Sequence, residues 1–125
     1  MALKEIMAVI RPNKVLTTKK ALDEIGITSF TAYRVLGRGK QGGRVSELAY
    51  PVSEDLKRKL EDAPPSFIPK RLLMIVVKDS DVDLVVQKII RVNRTGEQGD
   101  GKIFVLPVDD ALRLRTGEHG LEALI

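Results

Sequence analysis

Residues 3–10 (LKEIMAVI) are rich in Ile, Val and Met, which reads as a strand. Residues 13–25 (NKVLTTKKALDEI) then put Val15, Leu22 and Ile25 on one helical face, with Lys19, Lys20 and Asp23 largely outside it. Asn13 is placed to cap this helix and Gly26 to end it. Residues 28–36 (TSFTAYRVL), β-branched and aromatic, give a second strand, and the near-continuous apolar run 71–77 (RLLMIVV) a third. Ser80-Asp81-Val82-Asp83 resembles a capping box and opens a helix with Val82, Val85, Val86, Ile89, Ile90 and Asn93 at the 3–4 spacing, ended by Gly96. KIFVL (102–106) gives a fourth strand, and LRLR (112–115) a short tail strand. The order β-α-β-β-α-β predicts an α+β fold, a ferredoxin-like split-βαβ sandwich with both helices on one face of the sheet.

A chain of 125 residues suits this as a single domain, 1–125. It has no cysteine, which excludes a disulfide framework, a thiolate metal site and a thiol nucleophile. His119 is the lone histidine, so a multi-histidine metal site is excluded within one chain. The 21 basic and 17 acidic side chains leave a mild excess of +4. The longest basic run is three residues, Lys57-Arg58-Lys59, and stacking aromatics are sparse, so a small polyanion suits the excess as well as a nucleic acid does. No apolar run approaches the ~20 residues needed to cross a bilayer, so no membrane insertion and a cytoplasmic location are expected.

The connection between the second and third strands, about 39–69, is far longer than the ~2–6 residues usual between packed elements. It opens on glycines (GRGKQGG, 37–43), holds a charged stretch able to form a short helix (SEDLKRKLED, 53–62) and closes on prolines. It lacks the apolar residues for a core of its own, so its ordering is expected to need a ligand or partner.

Four places carry possible chemistry. In TGEQGDGKIFV (95–105), Gly99 and Gly101 bracket Asp100 and let successive backbone N–H groups form an anion nest, with Lys102 adding a point charge. The plainer alternative is a helix-to-strand turn with a solvent-facing lysine. Arg113 and Arg115, if extended, share one face and present two forks to phosphate oxygens. The alternative is solvation, or pairing with Asp109 and Asp110. GRGKQG (37–42) matches G-x-G-x-x-G, but no helix directly follows, so what remains is a backbone approaching a ligand with Lys40 and Gln41 at hand. Lys70 reads as an edge-strand charge, or, if the ends of the connection converge, as a partner of Gln41 in holding a small carboxylate.

Together, T-G-E-Q-G-D-G-K-I-F-V (95–105), L-R-L-R-T-G-E (112–118), I-M-A-V-I-R-P-N-K (6–14) and G-R-G-K-Q-G-G (37–43) resemble the signature stretches of the PII nitrogen signal-transduction family. The resemblance covers nearly the whole chain except the middle of the long connection. It implies a ferredoxin-like trimer with ATP or ADP in each cleft between subunits. Carried over by position, Gly99, Asp100, Gly101, Lys102, Arg113 and Arg115 would form the phosphate side. Thr31 and the Gly37–Gly39 backbone would approach the nucleotide, with Lys40 adding charge. Gln41 would be the Mg²⁺ ligand and touch 2-oxoglutarate, which Lys70 would pair with beside Gly99. The long connection would be the effector loop that docks on targets.

F-I-P-K-R-L-L-M (67–74) and the lengthened loop look most like the branch encoded beside nitrogenase genes, whose members act on nitrogenase. Tyr50 lies in S-E-L-A-Y-P, outside the context of the tyrosine modified in some enteric members, and Met74 replaces a carboxylate frequent on the third strand. The expected function is therefore a non-enzymatic nitrogen-status sensor. It would bind ATP, ADP and 2-oxoglutarate and inhibit nitrogenase by direct contact, as a homotrimer or a mixed oligomer with a PII paralogue. The alternative target is an ammonium transporter or glutamine synthetase. An enzyme or nucleic-acid binder on the same fold is the third class, disfavoured by the lone His119 and by the missing aromatic pattern of RNA-binding sheets.

Overall fold

The computed structural model describes residues 2–38 and 67–125. Gly39, Lys40, Gln41, Tyr50 and the expected helix at 53–62 lie outside the described residues. Four strands form one sheet, β1 (Leu3–Ile10), β2 (Thr31–Gly37), β3 (Ile68–Lys78) and β4 (Lys102–Val108), in the order β2-β3-β1-β4. Every neighbouring pair is antiparallel. Two helices, α1 (Val15–Glu24) and α2 (Val82–Asn93), complete the βαββαβ order.

Side-chain alternation sorts the sheet into two faces. Ile6, Ala8 and Ile10 of β1 and Leu73, Ile75 and Val77 of β3 are buried with Leu22 of α1 and Val85 and Ile89 of α2, so both helices cover one face. The other face carries Met7, Met74 and Phe104 in one register row, and Phe104 is 51% exposed. A buried polar contact ties the helices together. Thr18 donates to the Lys14 carbonyl at 2.7 Å, and the Asn93 amide donates to Thr18 Oγ1 at 3.0 Å and to the Ile89 carbonyl at 2.9 Å. Among the described residues, no helix is long and apolar enough to cross a membrane.

The structure corrects several local expectations. Neither helix begins on a side-chain cap. Each is preceded by a 3₁₀ turn, Pro12–Lys14 or Asp79–Asp81, so Asn13 lies inside the turn and Asp81, at the cap position of α2, makes no side-chain bond. Proline at the first turn position, with its fixed φ, accounts for the earlier start. Gly26 closes α1 at φ +82° as expected, whereas α2 stops at Asn93, ahead of Gly96. Strand β3 starts before Pro69. There it is paired only with β2, because the β1 register begins at Arg71, and a proline is tolerated where one side of a strand is unpaired. LRLR is not a strand. Leu112 makes a single bridge to His119, and Gly117 at φ +75° reverses the chain between them.

Candidate functional site

The C-terminal end of β1, the start of β3, the end of β2 and the start of β4 all meet at one end of the sheet. The loop after α2 returns to β4 there, and its two expected glycines take the left-handed conformations the nest requires, Gly99 at φ +96° and Gly101 at φ +117°. Gly101 has no alternative. A Cβ on it would stand 1.8 Å from the Val9 carbonyl oxygen.

The loop is closed by Asp100. Its carboxylate accepts from the Thr95 N–H at 2.7 Å, the Gly96 N–H at 3.0 Å, the Thr95 hydroxyl and the Arg11 guanidinium at 2.5 Å. The Thr95 hydroxyl first, then the backbone N–H groups and Arg11, hold this carboxyl well below the usual carboxylate range. Asp100 therefore builds the loop with its side chain. Arg11 also donates to the Gln98 carbonyl at 3.0 Å, and Lys70 donates to the Gly99 carbonyl at 2.6 Å.

These two carbonyl contacts fix the nest's polarity. In a trans peptide the C=O and the following N–H point in opposite directions. With the Gln98 and Gly99 carbonyls turned onto cations, the N–H groups of Gly99 and Asp100 point the other way, with the turn closed over Gln98 and Gly99. A phosphate oxygen fits this arrangement, since an anion meets donors and no carbonyl. Lys102 is exposed at the start of β4, beside the nest.

Gly37, Lys70, Gly99, Asp100, Gly101 and Lys102 are thus brought to one place, and a Cβ on Gly37 would lie 3.2 Å from Lys70 Cγ. Lys70 is not the solvated edge charge of the plainer reading. It is 7% exposed, and its amine is held on the Gly99 carbonyl. Thr31 is not brought in. It stands at the far end of β2, six residues before Gly37, roughly 20 Å along the strand.

Arg113 and Arg115 are also apart. Strand β4 carries the chain away from the nest to Val108, paired with Leu3 at the opposite end of the sheet, and the arginines follow in the turn. The shared face expected for them is lost with the strand. Arg113 donates to Glu118 at 3.2 Å, to the Glu122 carbonyl at 2.9 Å and to the Ile125 carbonyl, not to Asp109 or Asp110. Arg11 is the residue sequence reasoning missed. Its partners lie 84–89 positions away, so no local pattern points to it.

Comparison with known proteins gives one family. The nitrogen regulatory protein P-II family model matches residues 3–118. The nitrogen fixation nifHD1 region GlnB-like protein 2 of Methanosarcina barkeri is 52% identical over 122 residues, covering 98% of this chain and 99% of the relative. The nifHD region GlnB-like protein 2 of Methanobacterium ivanovii is 48% identical over 124 residues, covering 98% and 100%. The crystal structure of Arabidopsis thaliana PII bound to citrate is similar at TM-score 0.75 and 36% identity, covering 98% of this chain and 92% of that one. The chain belongs to the nitrogen regulatory protein P-II family, in its nitrogen-fixation branch, and is a regulator rather than an enzyme.

Proposed function

We propose that this protein is a sensor of ATP, ADP and 2-oxoglutarate that controls nitrogenase by direct contact. The observation that supports nucleotide binding is the nest. Two outward N–H groups, a glycine whose missing Cβ leaves room against β1, and Lys102 converge where a polyphosphate would lie. Gly37, Lys40 and the Gly39 backbone would flank the nucleotide. A Mg²⁺ ion held by Gln41 would supply a hard cation between phosphate and oxo-acid oxygens. Lys70, which donates to the Gly99 carbonyl, would pair with the 2-oxoglutarate carboxylate at the same spot.

The separation of the nest from Thr31, Arg113 and Arg115 supports a site shared between copies. A trimer in which a neighbour's arginines approach the nest would complete it and cover the half-exposed apolar sheet face. The nitrogenase target rests on the relatives, whose names place them in the nifHD region. The effector segment between β2 and β3 would carry the recognition.

Calorimetry tests the nucleotide site. Lys102→Ala should weaken ATP by about 1.5–3 kcal/mol, typical of a hydrogen bond to a charged group. Unchanged affinity would remove Lys102 from the site. A pull-down tests the target. The protein should retain nitrogenase without 2-oxoglutarate and release it with 2-oxoglutarate and Mg-ATP, and a variant lacking 45–66 should not retain it. Capture of glutamine synthetase or an ammonium transporter instead would replace nitrogenase as the target.

A further inference from the structure

Arg11 directly follows β1 and sends its guanidinium into the loop that follows α2. One nitrogen meets Asp100 at 2.5 Å and Thr95 Oγ1 at 3.5 Å, and the other meets the Gln98 carbonyl at 3.0 Å. The Arg11 side chain is 19% exposed and that of Asp100 22%. We propose that Arg11 is a positioning residue for the nest, setting nucleotide affinity through Asp100 and the Gln98 carbonyl. This rests on the nest being the phosphate site.

An isolated loop with three left-handed glycines has many accessible shapes, and ordering it on binding would cost affinity. Arg11 removes that freedom from one side. Its contact with the Gln98 carbonyl fixes the peptide whose N–H belongs to Gly99, and its contact with Asp100 fixes the carboxylate that gathers the Thr95 and Gly96 N–H groups. One residue thus controls both ends of the turn from the rigid end of a central strand. The task needs a fork, because the two acceptors are met by different nitrogens. A lysine would keep the charge and lose one of the two contacts.

Two accounts of Arg11 make opposite predictions. If it acted only as a positive charge near the phosphates, Arg11→Lys would restore binding, and Asp100→Asn, which removes a nearby negative charge, would tighten it. If it positions the loop, Arg11→Lys restores little, and Asp100→Asn weakens binding.

The test is ATP titration by calorimetry at fixed salt on the full chain and its Arg11→Ala, Arg11→Lys, Asp100→Asn and Arg11→Ala/Asp100→Asn variants. Melting curves show that each is folded at the assay temperature, and Arg11→Lys serves if Arg11→Ala is not. The expected result is a loss of about tenfold or more in each single variant, the size of a lost charge-assisted contact. The double variant should be little worse than either single, because both act through one clasp. Unchanged binding in Arg11→Ala, tighter binding in Asp100→Asn, or full recovery in Arg11→Lys would each overturn the proposal. Wild-type protein that binds no ATP at millimolar concentration would instead overturn the nucleotide site itself.

Discussion

Gly101→Ala is expected to abolish ATP binding and to lower the melting temperature by roughly 10 °C or more. The added Cβ would lie 1.8 Å from the Val9 carbonyl oxygen and 2.9 Å from its carbon. Both atoms belong to the backbone of β1, which is paired on its two sides, so nothing can swing away. The residue would also have to hold φ +117°. Backbone strain of about 1–3 kcal/mol and overpacking of about 1–3 kcal/mol then add against a total stability of ~5–15 kcal/mol. Relief by moving the loop would swing the Gly99 and Asp100 N–H groups out of line. Gly96→Ala is the control. It also has a positive φ, but its Cβ would meet nothing within 4 Å, so only the strain remains. Calorimetric melting and ATP titration on both variants check this, and a Gly101→Ala protein that melts and binds like wild type would refute the close approach to β1.

The second large effect belongs to the core. Leu73→Ala should destabilise the protein by about 2–5 kcal/mol, the range for a buried leucine truncated to alanine. Leu73 is fully buried on β3, with Ala8 opposite it on β1 and Ala32 on β2. Its two cross-strand neighbours are already the smallest side chains in the row, so they cannot lean in to fill the hole. Leu16→Ala provides the contrast, because Leu16 is 80% exposed and a change there should stay within about 0.5 kcal/mol. Thermal melts at one fixed protein concentration make the comparison, since assembly would shift both midpoints. Equal midpoints for the two variants would argue against a core centred on β3.

The elements legible in the sequence were those with a local signature. The apolar stretch at 3–10 marked β1, though not which of its faces is buried, and the 3–4 spacing placed Val85 and Ile89 on one side of α2, the side that is buried. Glycine spacing located the nest, because a left-handed backbone leaves a mark in the residues that permit it. What stayed hidden depended on distant partners. Lys70 read either as an edge charge or as a carboxylate partner, and its contact with the Gly99 carbonyl comes from a loop 29 positions away. Arg11 carried no reading of its own because its acceptors come from the far side of α2. The turn at 112–119 was mistaken for a strand because L-R-L-R alternates, while Gly117, beyond the alternation, decides the reversal.

Strand β4 parts the nest from the arginine turn, and on the trimer proposed above this has a genetic consequence. Each binding site would have two parents. A chain with a damaged nest could still lend its arginines to a neighbour, and a chain with damaged arginines could still offer its nest. Two defective alleles expressed together would then regenerate some intact sites in mixed rings, at the junctions where the sound halves meet. One defective allele beside a normal one would do the reverse and spoil a junction in every ring it joined. A mixed ring with a paralogue would likewise hold junctions of different composition, so the same effector level could be read differently within one assembly.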